Sequence, residues 1–208
     1  MVARRVKVKK RYHHGDLARS LVTAATLTLE REGPVAVTLR GIARRVGVSV
    51  AAPYRHFEDR ESLMAAVMAE GFLELARATE AARCKAPTAE TSVLAVGLAY
   101  LKFAGKHPVL YRTMFGNSGA KSEHPELLAA GRKALAVLQR AVAAARREGA
   151  LSAVPEPLVT LAGWALVHGL SSLHADGLLD DGVSPPVDLA EAAPALIGLL
   201  QRGATRSR

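Results

Sequence analysis

The 208-residue chain is predicted to be all-α on three observations. Apolar residues recur at spacings of three and four along most of its length. No run alternates apolar and polar residues for long enough to make a half-buried strand, although valine occurs throughout. The periodic stretches are separated by glycine and proline, the residues that end helices. Half of the residues (50%) are apolar, mostly alanine and leucine, and only 4% are aromatic. That suffices for one sizeable core, or for a small module attached to a larger one.

Several classes of protein fit poorly. The single cysteine, Cys84, cannot form an internal disulfide, and the N-terminal residues lack the apolar core of a secretion signal, so the cytoplasm is the expected compartment. The longest uncharged apolar run, 158–170, contains His168 and falls short of the roughly 20 residues a membrane span needs. It is expected to be a buried helix, with no membrane partner.

Charge is distributed unevenly. Residues 1–60 hold 13 Lys and Arg against 5 Asp and Glu, whereas the remaining 148 residues hold 15 against 14. The basic excess belongs to one module. A solvated face would account for it, and so would a surface that binds a polyanion; the pattern inside the module favours the second.

After a basic arm carrying Arg4, Arg5, Lys7, Lys9, Lys10 and Arg11, Asp16 is expected to cap a helix whose apolar stripe is Leu17, Leu21, Ala25 and Leu29. Gly33-Pro34 ends it. Thr38 is the next cap, opening a short helix with Leu39, Ile42, Ala43 and Val46 on the buried side and Arg40, Arg44 and Arg45 outside it. Gly47 closes that helix, since so tight a reversal needs a residue that tolerates positive φ. Ser49 is expected to cap a third helix two turns long, too short to be stable alone. Val48, Tyr54 and Phe57 are its expected anchors, leaving Val50, Ala51, Arg55 and His56 on the outer face. Small side chains there let a backbone approach a partner closely. This is the arrangement of a helix-turn-helix, whose second helix enters the major groove while basic and hydroxyl groups around it, Ser49 among them, hold phosphates.

From about Tyr12 to Phe72 these residues resemble the TetR-type transcriptional regulators. The resemblance rests on the alanine-bearing first helix that ends at glycine and on the Thr38, Ile42-Ala43 and Val46-Gly47-Val48-Ser49 block. It continues through Tyr54-Arg55-His56-Phe57 and Asp59-Arg60-Glu61-Ser62-Leu63, which opens a long helix. It implies that Tyr54 and His56 contact phosphates together with Thr38 and Arg60, that Val50 and Ala51 face base edges, and that Arg40 stands where some relatives place a base-reading arginine. Two positions depart from the family pattern: Pro53 where leucine is usual, and Arg60 where lysine is usual. A proline in a first helical turn is tolerated, so the recognition helix is expected to survive.

Beyond Asp59 the chain is nearly neutral. A long helix carries Leu63, Met64, Val67, Met68, Phe72 and Leu75, and further helices are predicted at about 89–106, 108–115, 125–148, 156–177 and 188–202. The polar segment Gly116 to His124 is expected to be a mobile loop. The predicted domains are thus a flexible arm, 1–11; a helix-turn-helix DNA-binding domain, 12–58; a ligand-binding and dimerisation domain, 59–203; and a disordered tail, 204–208.

The resemblance implies that this body is an antiparallel helical bundle that dimerises through its last two long helices and often encloses a ligand pocket. Trp164, His168 and Gly169 are similar to the tryptophan-histidine-glycine signature of one C-terminal branch of the family. Tyr100, Phe103, Tyr111, Met114, Phe115 and Trp164 gather most of the body's aromatic content; with His168 they are the candidate lining of a site for an apolar inducer, though such a set is more often core. The adjacent His13 and His14 lack partners at ligand spacing. No nucleophile–base pair, phosphate loop or paired carboxylates can be found, so no enzyme activity, cofactor or metal is expected. The expectation is a homodimeric repressor bound to double-stranded operator DNA; a ligand-independent or nucleoid-like DNA-binding protein is the alternative.

Overall fold

The computed structural model describes residues 14–116, 124–151, 153–181 and 189–204. Among them every regular element is helical. They form two compact units, residues 1–64 and 65–208, and the division falls inside a helix, Arg60–Lys85, a few residues later than the change in composition at Asp59.

The N-terminal unit contains α1 (His14–Glu32), α2 (Leu39–Val46) and the first turn of α3 (Arg60–Lys85). Asp16, expected to cap the helix, lies inside α1. Leu21, Ala25 and Leu29 are fully buried and meet Ile42 and Ala43 of α2 in a small core completed by Val37, Phe57 and Leu63. Gly33 leaves α1 with φ 81°, and Pro34–Ala36 makes one 3₁₀ turn before α2. At the start of α3, Asp59 Oδ1 accepts from the Ser62 amide at 2.8 Å while Ser62 Oγ accepts from the Asp59 amide at 3.2 Å. This reciprocal pair satisfies donors that the helix start leaves free.

The C-terminal unit holds the rest of α3, α4 (Ala89–Lys106), α5 (Pro108–Phe115), α6 (Pro125–Arg147), α7 (Glu156–Ala175), the short α8 (Leu178–Asp181) and α9 (Leu189–Gly203). The central helix is α4, packed on α6, α7 and α9. Val93 and Val96 of α4 meet Val137, Ala141, Val142 and Ala145 of α6, together with Leu151 and Val159, in the main core. Small residues set the spacing: a Cβ on Gly97 would lie 2.7 Å from Ile197 Cδ1 of α9, and one on Gly71 would lie 2.7 Å from Met114 Sδ of α5.

Two expectations change here. Ala204, assigned from the sequence to a disordered tail, is buried; it accepts a hydrogen bond from the Ala153 amide at 2.9 Å, which ties the end of α9 to the α6–α7 connection. The apolar run 158–170, expected to form a buried helix, lies in α7, and only 22% of that helix's most apolar 18-residue window is buried within the chain. Residues 1–13, 117–123 and 205–208, which include the basic arm, most of the expected mobile loop and the remainder of the tail, lie outside the described residues.

Candidate functional site

Helix α2 sets the geometry of the basic module. Thr38 Oγ1 accepts from the Gly41 amide at 3.1 Å, capping the helix. A Cβ at position 41 would come within 2.8 Å of that oxygen, so the glycine keeps the cap accessible. At the other end Gly47 adopts φ 78°, ψ 31°, with its amide donating to Arg44 O and the Val48 amide donating to Ala43 O. This pair of bonds around a left-handed residue is a Schellman closure, and it reverses the chain into the recognition segment within two residues.

The recognition segment differs from the expected α-helix. A turn over residues 50–52 leads into a 3₁₀ turn at Pro53–Arg55: the hydrogen bonds from Ala52 to Ser49, Arg55 to Ala52 and His56 to Pro53 each span three residues, and only the last, from the Phe57 amide to the Pro53 carbonyl at 3.0 Å, spans four. Proline is the cause. Counted from Ser49 as cap, position 53 is the first whose amide an α-helix would use, bonding to the Ser49 carbonyl, and proline has no amide hydrogen. The Ser49 carbonyl is satisfied from Ala52 instead, which tightens the turn. Pro53 also replaces Tyr54 as an anchor: Pro53 and Phe57 are buried, whereas Tyr54 is 51% exposed.

The outward set is therefore Thr38, Arg40, Ser49, Val50, Ala51, Tyr54 and Arg55, all exposed. Val50, at 50% exposure, stands open beside the small Ala51. Two other expected contacts, Arg60 and His56, are engaged or turned within the unit, and so is Arg45, which was expected only to lie outside the buried stripe. The Arg60 guanidinium donates to Val37 O at 2.9 Å and to Pro34 O at 2.5 Å, bracing the α1–α2 connection. Arg45 donates from a single guanidinium nitrogen, Nη2, to both carboxylate oxygens of Glu32, at 2.6 and 2.7 Å, fastening the end of α1 to α2. His56 is half-buried, and its Nε2 is covered without a hydrogen-bond partner among the described residues.

In the C-terminal unit, Tyr100, Met114, Phe115 and Trp164 line one cavity of about 380 Å³, together with aliphatic side chains such as Leu75, Val96, Leu135 and Leu138. Phe103, Tyr111 and His168, expected in the same lining, are not on it. Phe103 is buried against the His107 ring, with centroids 5.2 Å apart. Tyr111 and His168 stand behind Tyr100: the Tyr111 hydroxyl lies 2.7 Å from His168 Nδ1 and the Tyr100 hydroxyl 3.2 Å from it. With Nδ1 unprotonated, both tyrosines are placed to donate toward it. Burial holds the His168 pKa below the usual histidine value and raises those of both tyrosines, so the three are neutral at neutral pH. They form a satisfied polar cluster whose Tyr100 member also faces the cavity.

The sequence reading missed Arg132 of α6, which lines the cavity. A signal existed, since Arg132 falls four residues after Leu128 and three before Leu135, on the apolar stripe of its own helix.

The comparisons agree with these two units. The model for bacterial regulatory proteins of the tetR family matches residues 21–67, and that for the tetracyclin repressor-like C-terminal domain matches residues 93–200. An uncharacterized HTH-type transcriptional regulator of Mycobacterium tuberculosis is 26% identical over 165 residues, covering 78% of this chain and 72% of its own. A protein of unknown function from Rhodococcus sp. RHA1 is similar in structure with a TM-score of 0.82 at 33% identity, over 95% of this chain and 100% of that one. A tetR-family regulatory protein from Rhodococcus RHA1 follows the same fold with a TM-score of 0.66 at 22% identity, over 92% and 98% of the two chains. The chain belongs to the tetR family of bacterial regulatory proteins, and is a DNA-binding transcriptional regulator.

Proposed function

We propose that the protein is a homodimeric repressor, released from a palindromic operator when a small, mostly apolar ligand enters its C-terminal unit. The observation that carries the ligand is the cavity: its volume of about 380 Å³ falls in the range of roughly 300–1,000 Å³ of small-molecule sites, and its walls are almost wholly apolar. On this reading residues 12–58 bind DNA and residues 59–203 bind the ligand and the second subunit.

A dimer is supported by the outer faces of α7 and α9. Leu158, Leu161 and Leu173 of α7 and Leu199 of α9 are exposed large apolar residues, and a Cβ on Gly169 would meet nothing within 4 Å. A second copy covering these helices would explain why so apolar a helix as α7 is so little buried within its own chain. Trp164, His168 and Gly169 take separate places in this arrangement: one on the cavity wall, one in the polar cluster behind it, one on the outer face. Their agreement with the tryptophan-histidine-glycine branch is part of the same proposal.

In the N-terminal unit, Val50 and Ala51 offer apolar contacts to base edges such as thymine methyls, Arg40 a two-hydrogen-bond contact to guanine, and Thr38, Ser49, Tyr54 and Arg55 contacts to phosphates, to which His56 adds only by its uncovered edge, its Nε2 being covered. Arg60 reaches phosphate only with the donors its two carbonyl bonds leave over. A DNA target implies the cytoplasm. The ligand acts by binding one dimer geometry better than another, so that the two recognition segments no longer match successive major grooves.

Selection of bound fragments from a random-sequence library, with light scattering on the same preparation, tests this reading. Recovered fragments should share one palindromic motif with half-sites about 34–36 Å apart or a multiple of it. Fragments without a shared motif would favour the nucleoid-like alternative, and a monomer in solution would remove the palindrome.

A further inference from the structure

Among the described residues, Arg132 is the one charged side chain on the cavity wall, and no carboxylate stands there. Its position is not a surface accident of an amphipathic helix. Leu128, Leu135, Leu138 and Val142 of α6 all line the cavity, and Arg132 interrupts that stripe where packing alone would place another apolar side chain. The next residue along, Gly131, lines the cavity too, and a Cβ there would meet nothing within 4 Å, so space is open beside the arginine.

Three of the other polar side chains on the wall already have partners. Thr79 Oγ1 donates to Leu75 O at 2.8 Å, Gln201 Nε2 donates to Glu90 O at 3.0 Å, and the Tyr100 hydroxyl belongs to the cluster with Tyr111 and His168. Arg132 makes no hydrogen bond or ion pair among the described residues, and it is exposed enough to keep its hydration when the cavity is empty. Among the described residues nothing occupies its five donors, which are set in the fork that matches a carboxylate.

We propose that the cavity takes an amphiphile with a single negative charge, its apolar part among the aliphatic and aromatic walls and its anionic head on the Arg132 guanidinium. This rests on the ligand-responsive reading above and names the class of ligand. A cation entering the site would meet a like charge with no carboxylate on the wall, among the described residues, to offset it, and a neutral hydroxyl would gain at most one ordinary hydrogen bond from the arginine. A carboxylate gains two charge-assisted hydrogen bonds. Because the arginine lies at the solvent-facing side of the cavity, screening limits the advantage to about tenfold in affinity.

Titration calorimetry of the full chain at neutral pH with matched probes tests the proposal: dodecanoate, dodecanol and dodecylamine, and 2-naphthoate with 2-naphthol, each below its aggregation concentration. The acid of at least one set should bind about tenfold more tightly than its alcohol, and the amine most weakly. Arg132→Gln should bring that acid to the level of its alcohol while leaving the alcohol unchanged, and Arg132→Lys should restore part of the preference. A circular-dichroism melt of each variant checks its fold. Equal binding of acid and alcohol by the unmodified chain, or an equal loss of both on Arg132→Gln, overturns the head-group assignment and leaves the cavity as an apolar site. Failure of every probe to bind removes the ligand-responsive reading, and this proposal with it.

Discussion

Gly131→Leu tests whether the cavity is real space open to occupation. Gly131 lies inside α6, lines the cavity, and has nothing within 4 Å of where its Cβ would be. Removing a glycine from a helix interior in favour of a good helix former gains about 0.8–1 kcal/mol. Burying a leucine side chain completely gains about 1.5–3 kcal/mol, of which about half applies at this partly exposed position. Ordering its rotamers costs about 0.5–1 kcal/mol. The net expectation is a stabilisation of about 1–2 kcal/mol, which for a chain of this size raises the melting temperature by about 2–8 °C. Scanning calorimetry should show that rise, and the same scan with dodecanoate should show the second effect. A probe at about 100 times its dissociation constant adds about 2.7 kcal/mol to the unmodified protein, and should add nothing to the variant. A lower melting temperature would refute the reasoning about free space, and an undiminished response to the probe would place the ligand elsewhere.

The DNA-binding unit and the buried cluster give further expectations. Gly47→Ala meets no neighbour but forces alanine to φ 78°, so urea unfolding should show a loss of about 1–2 kcal/mol with operator affinity falling in step. Arg60→Ala removes the side-chain donor from the Val37 carbonyl and leaves the Pro34 carbonyl only the long bond from the Val37 amide at 3.3 Å; unfolding should show about 1–2 kcal/mol lost, and Arg60→Lys should recover only part, because one ammonium cannot reproduce the two-pronged bond. Arg40→Ala should cost about 1–3 kcal/mol on the selected operator and relax one base pair in each half-site, whereas Tyr54→Phe should weaken operator and random DNA alike in gel-shift titrations. Equal effects of Arg40→Ala on all sequences would make it a phosphate contact. Burial depresses the His168 pKa in the folded state, so its contribution is present above the unfolded value of about 6.5 and is lost as pH falls through the lower folded value. His168→Gln should flatten that part of the stability–pH curve. The loss from Glu80, which Arg83 and Arg140 hold at a pKa of about 2 against the usual 4.5, should persist at lower pH.

Features carried by neighbouring residues were legible in the sequence. The Thr38 cap, the Ile42-Ala43 stripe and the Gly47 closure are each decided within one helix and its flanks, and their periods and side-chain chemistry predict them directly. The all-α class and the helices at α4, α5 and α6 follow the same local rules, while the basic excess of residues 1–60 is a count. The effect of Pro53 was local too, but it depended on an exact position: one residue nearer the cap, its missing amide would have been harmless, and at the fifth place from Ser49 it turns an α-helix into a 3₁₀ turn.

What only the tertiary structure decided are relations between residues far apart in the chain. Arg60 bracing Pro34 and Val37, Arg45 clamping Glu32, and Tyr100 and Tyr111 meeting His168 depend on which helix faces lie against each other. The apolar residues 100–168 identified from the sequence were divided the same way, since Met114, Phe115 and Trp164 reach the cavity while Phe103 and Tyr111 do not. Periodicity tells which face of a helix is apolar, and that face can meet another helix, a second copy of the chain or empty space. A cavity is the place where opposing side chains fail to meet, so its existence, its volume and the single arginine on its wall are fixed only when all the surrounding helices are packed.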